Sequence, residues 1–119
     1  MRLKLLIVED NPAVRRLIRS IVGALGAEIH ECGDGAAALA AYTAHRPDFV
    51  LMDIVMGETD GIAATRQITA SDPAAKVIIV TSHDGADLRE AARQAGACGY
   101  VLKENLLEVR RHLSQGGQP

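Results

Sequence analysis

Five short apolar runs alternate with longer, helix-patterned stretches from one end of the chain to the other, and few folds accept that order. The runs cover residues 3–8, 28–32, 48–52, 76–81 and 99–102. Several are nearly continuous in Leu, Ile and Val, the pattern of parallel strands covered on both faces. The clearest helical stretch follows Pro12, a favourable first-turn residue, and sets Val14, Leu17, Ile18, Ile21, Val22 and Leu25 on one stripe. Arg15, Arg16 and Arg19 fall outside that stripe and are expected to face water. Burying such a stripe is worth on the order of 10 kcal/mol gross, before the entropy of ordering the chain is subtracted.

Four more helices are expected. One begins near Asp34, a plausible N-cap, and runs through an alanine-rich stretch to Ala44, with Pro47 ending the connection into the third strand. Asp60-Gly61 leads the next to about Ala70, and Ser71-Asp72-Pro73 makes a turn. The fourth covers about 86–95 and is stopped by Gly96 in the manner of a C-terminal cap. The fifth covers about 104–114. Strict strand–helix alternation implies an α/β fold, a doubly wound parallel sheet with right-handed crossovers and helices on both faces. Residues 1–114 read as one domain and 115–119 as a tail or the start of a linker.

Bulk composition excludes several classes of function. With 119 residues, 48% of them apolar and 24% charged, the chain has the balance of an ordinary globular protein. Its net charge of −2 gives no reason to expect direct nucleic-acid binding or an anionic membrane surface. The apolar runs are too short to span a bilayer and no signal-peptide pattern precedes the first strand, which points to the cytoplasm. Cys32 and Cys98 match no metal spacing and read as small buried hydrophobes.

In open α/β sheets, sites form beyond the carboxyl ends of the strands. Here strand one ends in Glu9-Asp10, strand three in Asp53, strand four in Thr81-Ser82 and strand five in Lys103. Three carboxylates, a hydroxyl and an amine would converge on one rim. Crowded carboxylates require a proton or a cation between them, and a hard ion such as magnesium suits oxygen ligands. A cation and an amine beside a carboxylate make a receptor for a transferred phosphoryl group, to whose oxygens Thr81 can donate a hydrogen bond.

These residues make the chain resemble the receiver domains of two-component response regulators. The matching features are Glu9-Asp10, Asp53 within Leu51-Met52-Asp53-Ile54-Val55-Met56, Asp60-Gly61, Thr81-Ser82, and the run from Ala95 to Lys103. The resemblance spans the chain in order. It implies a five-stranded (βα)5 sheet of flavodoxin-like order 2-1-3-4-5 and a signalling switch in which Asp53 accepts a phosphoryl group from a sensor histidine kinase or a phosphotransfer protein. Asp10 and Asp53 would hold Mg2+ through their carboxylates, Val55 through its carbonyl and Glu9 through a water. Thr81 and Lys103 would hold the phosphoryl oxygens, with Thr81 and Tyr100 forming the switch. Output would pass through the fourth helix, fifth strand and fifth helix, to a partner or in a homodimer. The domain would catalyse only its own phosphorylation and dephosphorylation.

Two positions depart from the family pattern. Gly57 stands where proline is frequent, so that loop is expected to be more mobile. Glu104 stands where a cis proline often follows the lysine; a cis bond before a non-proline residue costs about 2.5–4 kcal/mol, which leaves this bond's geometry open. The stretch Gly99-Tyr100-Val101-Leu102-Lys103 without that proline resembles receivers followed by a helix-turn-helix effector, and no effector lies within these residues.

Three other readings compete. Gly33-Asp34-Gly35-Ala36-Ala37-Ala38 after a strand, with Asp53 downstream, meets the letter of a dinucleotide fingerprint, but Asp34 would push a carboxylate toward the pyrophosphate. An aspartyl-nucleophile phosphatase of the haloacid dehalogenase type needs a second aspartate two residues after the first, and Val55 stands there. A receiver-like interaction module that is never phosphorylated is the third. Among the four histidines only His83, just past Thr81, borders the expected site. In the expected topology Cys32 and Cys98 lie at opposite sheet edges, too far apart for a disulfide.

Overall fold

A computed structural model describes residues 2–115. The tail expected at 115–119 therefore lies, apart from Gln115, outside the described residues. In chain order the elements are β1 (Lys4–Val8), α1 (Pro12–Gly23), β2 (Glu28–Cys32), α2 (Ala38–His45), β3 (Phe49–Met52), β4 (Val55–Met56), β5 (Thr59–Asp60), α3 (Gly61–Ser71), β6 (Val77–Thr81), α4 (Ala86–Gln94), β7 (Gly99–Leu102) and α5 (Glu108–Ser114). Five strands form one parallel sheet in the order β2-β1-β3-β6-β7. This is the expected 2-1-3-4-5, because β4 and β5 pair only with each other.

The strand period of two divides the core between the two faces. Leu6, Val8, Val50, Met52, Val77 and Ile79 pack toward α2, α3 and α4, whereas Leu5, Ile7, Phe49, Leu51, Ile78 and Val80 pack toward α1 and α5. Continuous apolar strands are thus required by helices on both sides. No helix among the described residues is long and apolar enough to cross a membrane. Cys32 on β2 is buried and Cys98, just before β7, is half-buried; both are free thiols, at opposite edges as expected.

Several local expectations are corrected. Leu17 is 52% exposed and Leu25 is 47% exposed, although both were assigned to the buried stripe of α1. With 3.6 residues per turn, Leu17 sits about 100° from Ile18, off the face that meets the sheet. Leu25 lies beyond the helix, which ends at Gly23. The second helix starts at Ala38 rather than near Asp34: the Asp34 carboxylate accepts from the Ala37 amide at 2.8 Å, fixing a turn before the helix. In that turn the Gly35 amide donates to Thr59 Oγ1 at 3.0 Å, so it is committed within the protein and does not face an open phosphate cradle.

The fifth helix is shorter than expected. A 3₁₀ turn, Lys103–Asn105, precedes α5, and its tighter winding tucks Leu106 inward with Val109 and Leu113. The Lys103–Glu104 peptide bond is trans. The loop containing Gly57, expected to be mobile, is closed by the β4–β5 ladder, in which Val55 pairs with Asp60 and Met56 with Thr59. Gly57 takes φ 58 at its tip, a conformation that favours glycine.

On the face covered by α2, α3 and α4, the buried Tyr42 of α2 donates its hydroxyl to Asp72 Oδ2 at 2.7 Å. Burial first, and then this carboxylate, push its ionisation from 10.0 to about 12. A raised folded value means that this contribution to stability is complete below pH 10.0 and is lost as pH rises toward about 12. The difference in tyrosinate absorbance between wild type and Tyr42→Phe should therefore have its midpoint near 12. A midpoint at the ordinary tyrosine value would show that the hydroxyl is not held by Asp72.

Candidate functional site

The carboxyl ends of β1, β3, β6 and β7 form one rim. Chain geometry sets each side chain there in turn. The Glu9 amide donates to Cys32 O at 3.0 Å and the Asp53 amide to Val8 O at 3.0 Å, so both residues continue the strand ladder by one step beyond β1 and β3. Asn11 then caps α1, its Oδ1 accepting from Ala13 N at 2.9 Å. Its own amide donates to Glu9 Oε2 at 3.2 Å.

Glu9 is only 1% exposed and Asp53 5%. Lys103 answers this buried negative charge: its Nζ lies 2.8 Å from Glu9 Oε1 and 3.2 Å from Asp53 Oδ2. The Asp53 contact is a hydrogen bond, while Glu9 Oε1 has no well-angled hydrogen-bond donor. The Glu9 contact is an ion pair at this short distance, since Coulomb attraction does not depend on donor angle. Asp53 Oδ1 accepts from the Ile54 amide at 2.8 Å. Burial pushes Glu9 above the ordinary carboxylate range and the Asp53 charge adds to this, while Lys103 and the Asn11 amide pull it down. Burial pulls Lys103 down, but Glu9 and Asp53 together outweigh it and hold the ammonium above its ordinary value.

Asp10 is exposed beside this pair. Carboxylate oxygens of Glu9, Asp10 and Asp53 lie within 4.8 Å of one another. Oxygens around one magnesium ion sit about 2.1 Å from it, hence up to about 4.2 Å apart, so the three fit a single hard cation with little adjustment. Val55 follows in β4 with an exposed side chain. Thr81 is fully buried at the end of β6, its Oγ1 accepting from the His83 amide at 3.3 Å.

Tyr100 is half-buried on β7. Its hydroxyl donates to His83 O at 2.7 Å and its ring lies 4.6 Å from the Arg89 guanidinium. The main chain of His83 thus links Tyr100 to Thr81, while the exposed His83 takes part through its backbone. A cleft of about 160 Å³ lies between α4 and β7, lined by Arg89, Arg93, Cys98 and Tyr100.

The structure brings Glu9, Asp10, Asp53 and Lys103 together on this rim, and the sequence did not disclose what supports them. Arg15, expected to face water, donates from Nη1 to Glu9 O at 2.6 Å and from Nε to Glu31 Oε1 at 3.0 Å. Its helical position was a weak signal, being the nearest of the three arginines to the buried stripe. Gly61 presses on Asp53: a Cβ added there would lie 1.8 Å from the Asp53 carbonyl oxygen.

A doubly wound sheet thus carries an acidic rim and one amine at the carboxyl ends of its strands, and sequence comparison gives the family. Residues 5–112 match the response regulator receiver domain, and the chain belongs to that family. It is 39% identical over 101 residues to the transcriptional regulatory protein PdtaR of Mycobacterium tuberculosis, across 84% of this chain and 49% of that protein. The chain thus spans about half the length of that relative. It is 37% identical over 103 residues to the chemotaxis protein CheY of Halobacterium salinarum, across 87% of this chain and 86% of that protein. Among solved structures, a LuxR-family two-component response regulator from Aurantimonas sp. SI85-9A1 superposes with TM-score 0.91 at 32% identity, over 97% of this chain and 84% of that one. The chain is therefore a receiver domain of the two-component kind, regulatory rather than catalytic.

Proposed function

We propose that residues 1–114 form a phosphorelay switch in which Asp53 accepts a phosphoryl group from a histidine kinase. The observation that carries this reading is the setting of Asp53: a nearly buried carboxylate with one oxygen on the Ile54 amide and the other on Lys103. A carboxylate oxygen of Asp53 forms a bond to phosphorus as the donor's bond to phosphorus breaks, leaving an acyl phosphate. Lys103 and the Thr81 hydroxyl hold the phosphoryl oxygens. Asp10, Asp53 and the Val55 carbonyl would hold Mg2+, with Glu9 acting through a water, and the bound ion supplies positive charge beside the transferring group. Both Glu9 oxygens already have neighbours in Lys103 and Asn11, which suits this indirect role.

Drawing Thr81 toward the phosphoryl group removes its oxygen from the His83 amide and frees the segment whose carbonyl holds Tyr100. Tyr100 then turns inward, and the surface of α4, β7 and α5 changes for a partner, an effector or a second copy. A cytoplasmic setting goes with this reading.

Intact-mass measurement after incubation with acetyl phosphate tests it. One phosphoryl adduct that depends on magnesium and is lost in Asp53→Asn is the expected result. A folded protein that takes up no phosphate would overturn the reading in favour of an unphosphorylated interaction module.

A further inference from the structure

We infer that Arg15 is a positioning residue for the cation site, acting through the peptide that joins Glu9 to Asp10. This rests on the metal site proposed above. Arg15 Nη1 donates to the Glu9 carbonyl at 2.6 Å, and that carbonyl belongs to the same planar unit as the Asp10 amide. Fixing this plane fixes the direction in which the chain carries Asp10, the most exposed of the three acidic groups and the one with fewest other restraints.

The guanidinium is itself fixed. Its Nε donates to Glu31 Oε1 at 3.0 Å, and the other oxygen of Glu31 pairs with Arg19 Nη1 at 2.6 Å. Glu31 stands on β2 and Arg15 on α1, so the fork ties helix, edge strand and the β1–α1 turn together. The turn closes on itself: Asn11 caps the helix that carries Arg15, and the Asn11 amide holds Glu9 Oε2. A planar group with several donors in fixed directions does this better than an ammonium can.

Charge and positioning predict opposite signs. Removing a positive charge near a cation site should, by Coulomb's law alone, tighten Mg2+ binding. Loosening the peptide that aims a ligand should weaken it, and groups that orient metal ligands are typically worth about 10–100-fold in affinity. Titration calorimetry with magnesium chloride on the full chain reads this without any phosphorylation. Arg15→Ala should bind about tenfold more weakly than wild type. Arg15→Lys, which keeps the charge and loses the fork, should fall between. Arg16→Ala, which loses an exposed charge on the same helix and has no part in this network, should bind as wild type or slightly tighter. In the metal-free protein the amide shifts of Glu9, Asp10 and Asn11 should move in Arg15→Ala and stay in Arg16→Ala.

Unchanged or tighter binding by Arg15→Ala overturns the positioning role and leaves the metal site standing. Wild-type protein that binds no magnesium overturns both.

Discussion

Gly61→Ala is expected to cost about 3 kcal/mol of stability and to slow phosphorylation of Asp53 about 100-fold. A Cβ at position 61 would meet the Asp53 carbonyl oxygen at 1.8 Å and its carbon at 2.7 Å. Neither atom belongs to a flexible side chain, so the main chain itself has to move. Gly61 is also held from behind: its amide donates to Ile54 O at 2.8 Å, and Asp60 caps α3 by accepting from Ile62 N at 2.9 Å. The helix cannot simply back away, and the strain falls on the segment that carries the acceptor. Misplacing a reacting group by about 1 Å is worth about 100-fold in rate. Urea denaturation and the acetyl phosphate rate check the two parts separately. A stable variant phosphorylated at the wild-type rate would mean that the approach of Gly61 does not set the position of Asp53.

The same glycine shows what a sequence can and cannot disclose. Asp60-Gly61 was visible as the head of a helix, because an N-cap needs only local chemistry. That Gly61 lies against the backbone of Asp53 depends on how the β4–β5 ladder folds the intervening loop back, and no local pattern encodes that return. The five strands were legible because burial on both faces forces continuous apolar runs. The rim was legible for a related reason: parallel strands bring their carboxyl ends to one side, so the residues following each run had to meet. Where the reading failed, tertiary contacts had overridden local preference. Asp34 looked like an N-cap, yet Gly35 is committed to Thr59 and the helix waits until Ala38. Arg15 read as solvated because one of its partners is a backbone carbonyl, which has no letter in the sequence, and the other, Glu31, is brought beside it only when β2 pairs with β1. The residues after Lys103 read as one helix, and the inward turn of Leu106 splits off a 3₁₀ segment first.

Lys103→Met should destabilise the metal-free protein by about 3 kcal/mol at neutral pH and abolish its phosphorylation by acetyl phosphate. The methionine fills a similar volume, so the loss is one of charge. Without the amine, Glu9 and Asp53 remain buried and face each other with nothing between them. The influences left on Glu9 that raise its pKa are burial and the charge of Asp53, opposed now only by the Asn11 amide. Glu9 then binds a proton more readily in the folded protein than in the unfolded chain. Stability from such a group is complete below the ordinary value of 4.5 and is lost as pH rises through the raised one. The deficit of Lys103→Met against wild type should therefore shrink as the solution is acidified toward that value. Magnesium should shrink it too, because a bound cation restores positive charge between the same oxygens. Urea denaturation of both proteins at neutral and mildly acidic pH, with and without magnesium, separates these effects. A deficit of the same size in all conditions would assign Lys103 a packing role, and the balance of charge at the rim would have to come from elsewhere.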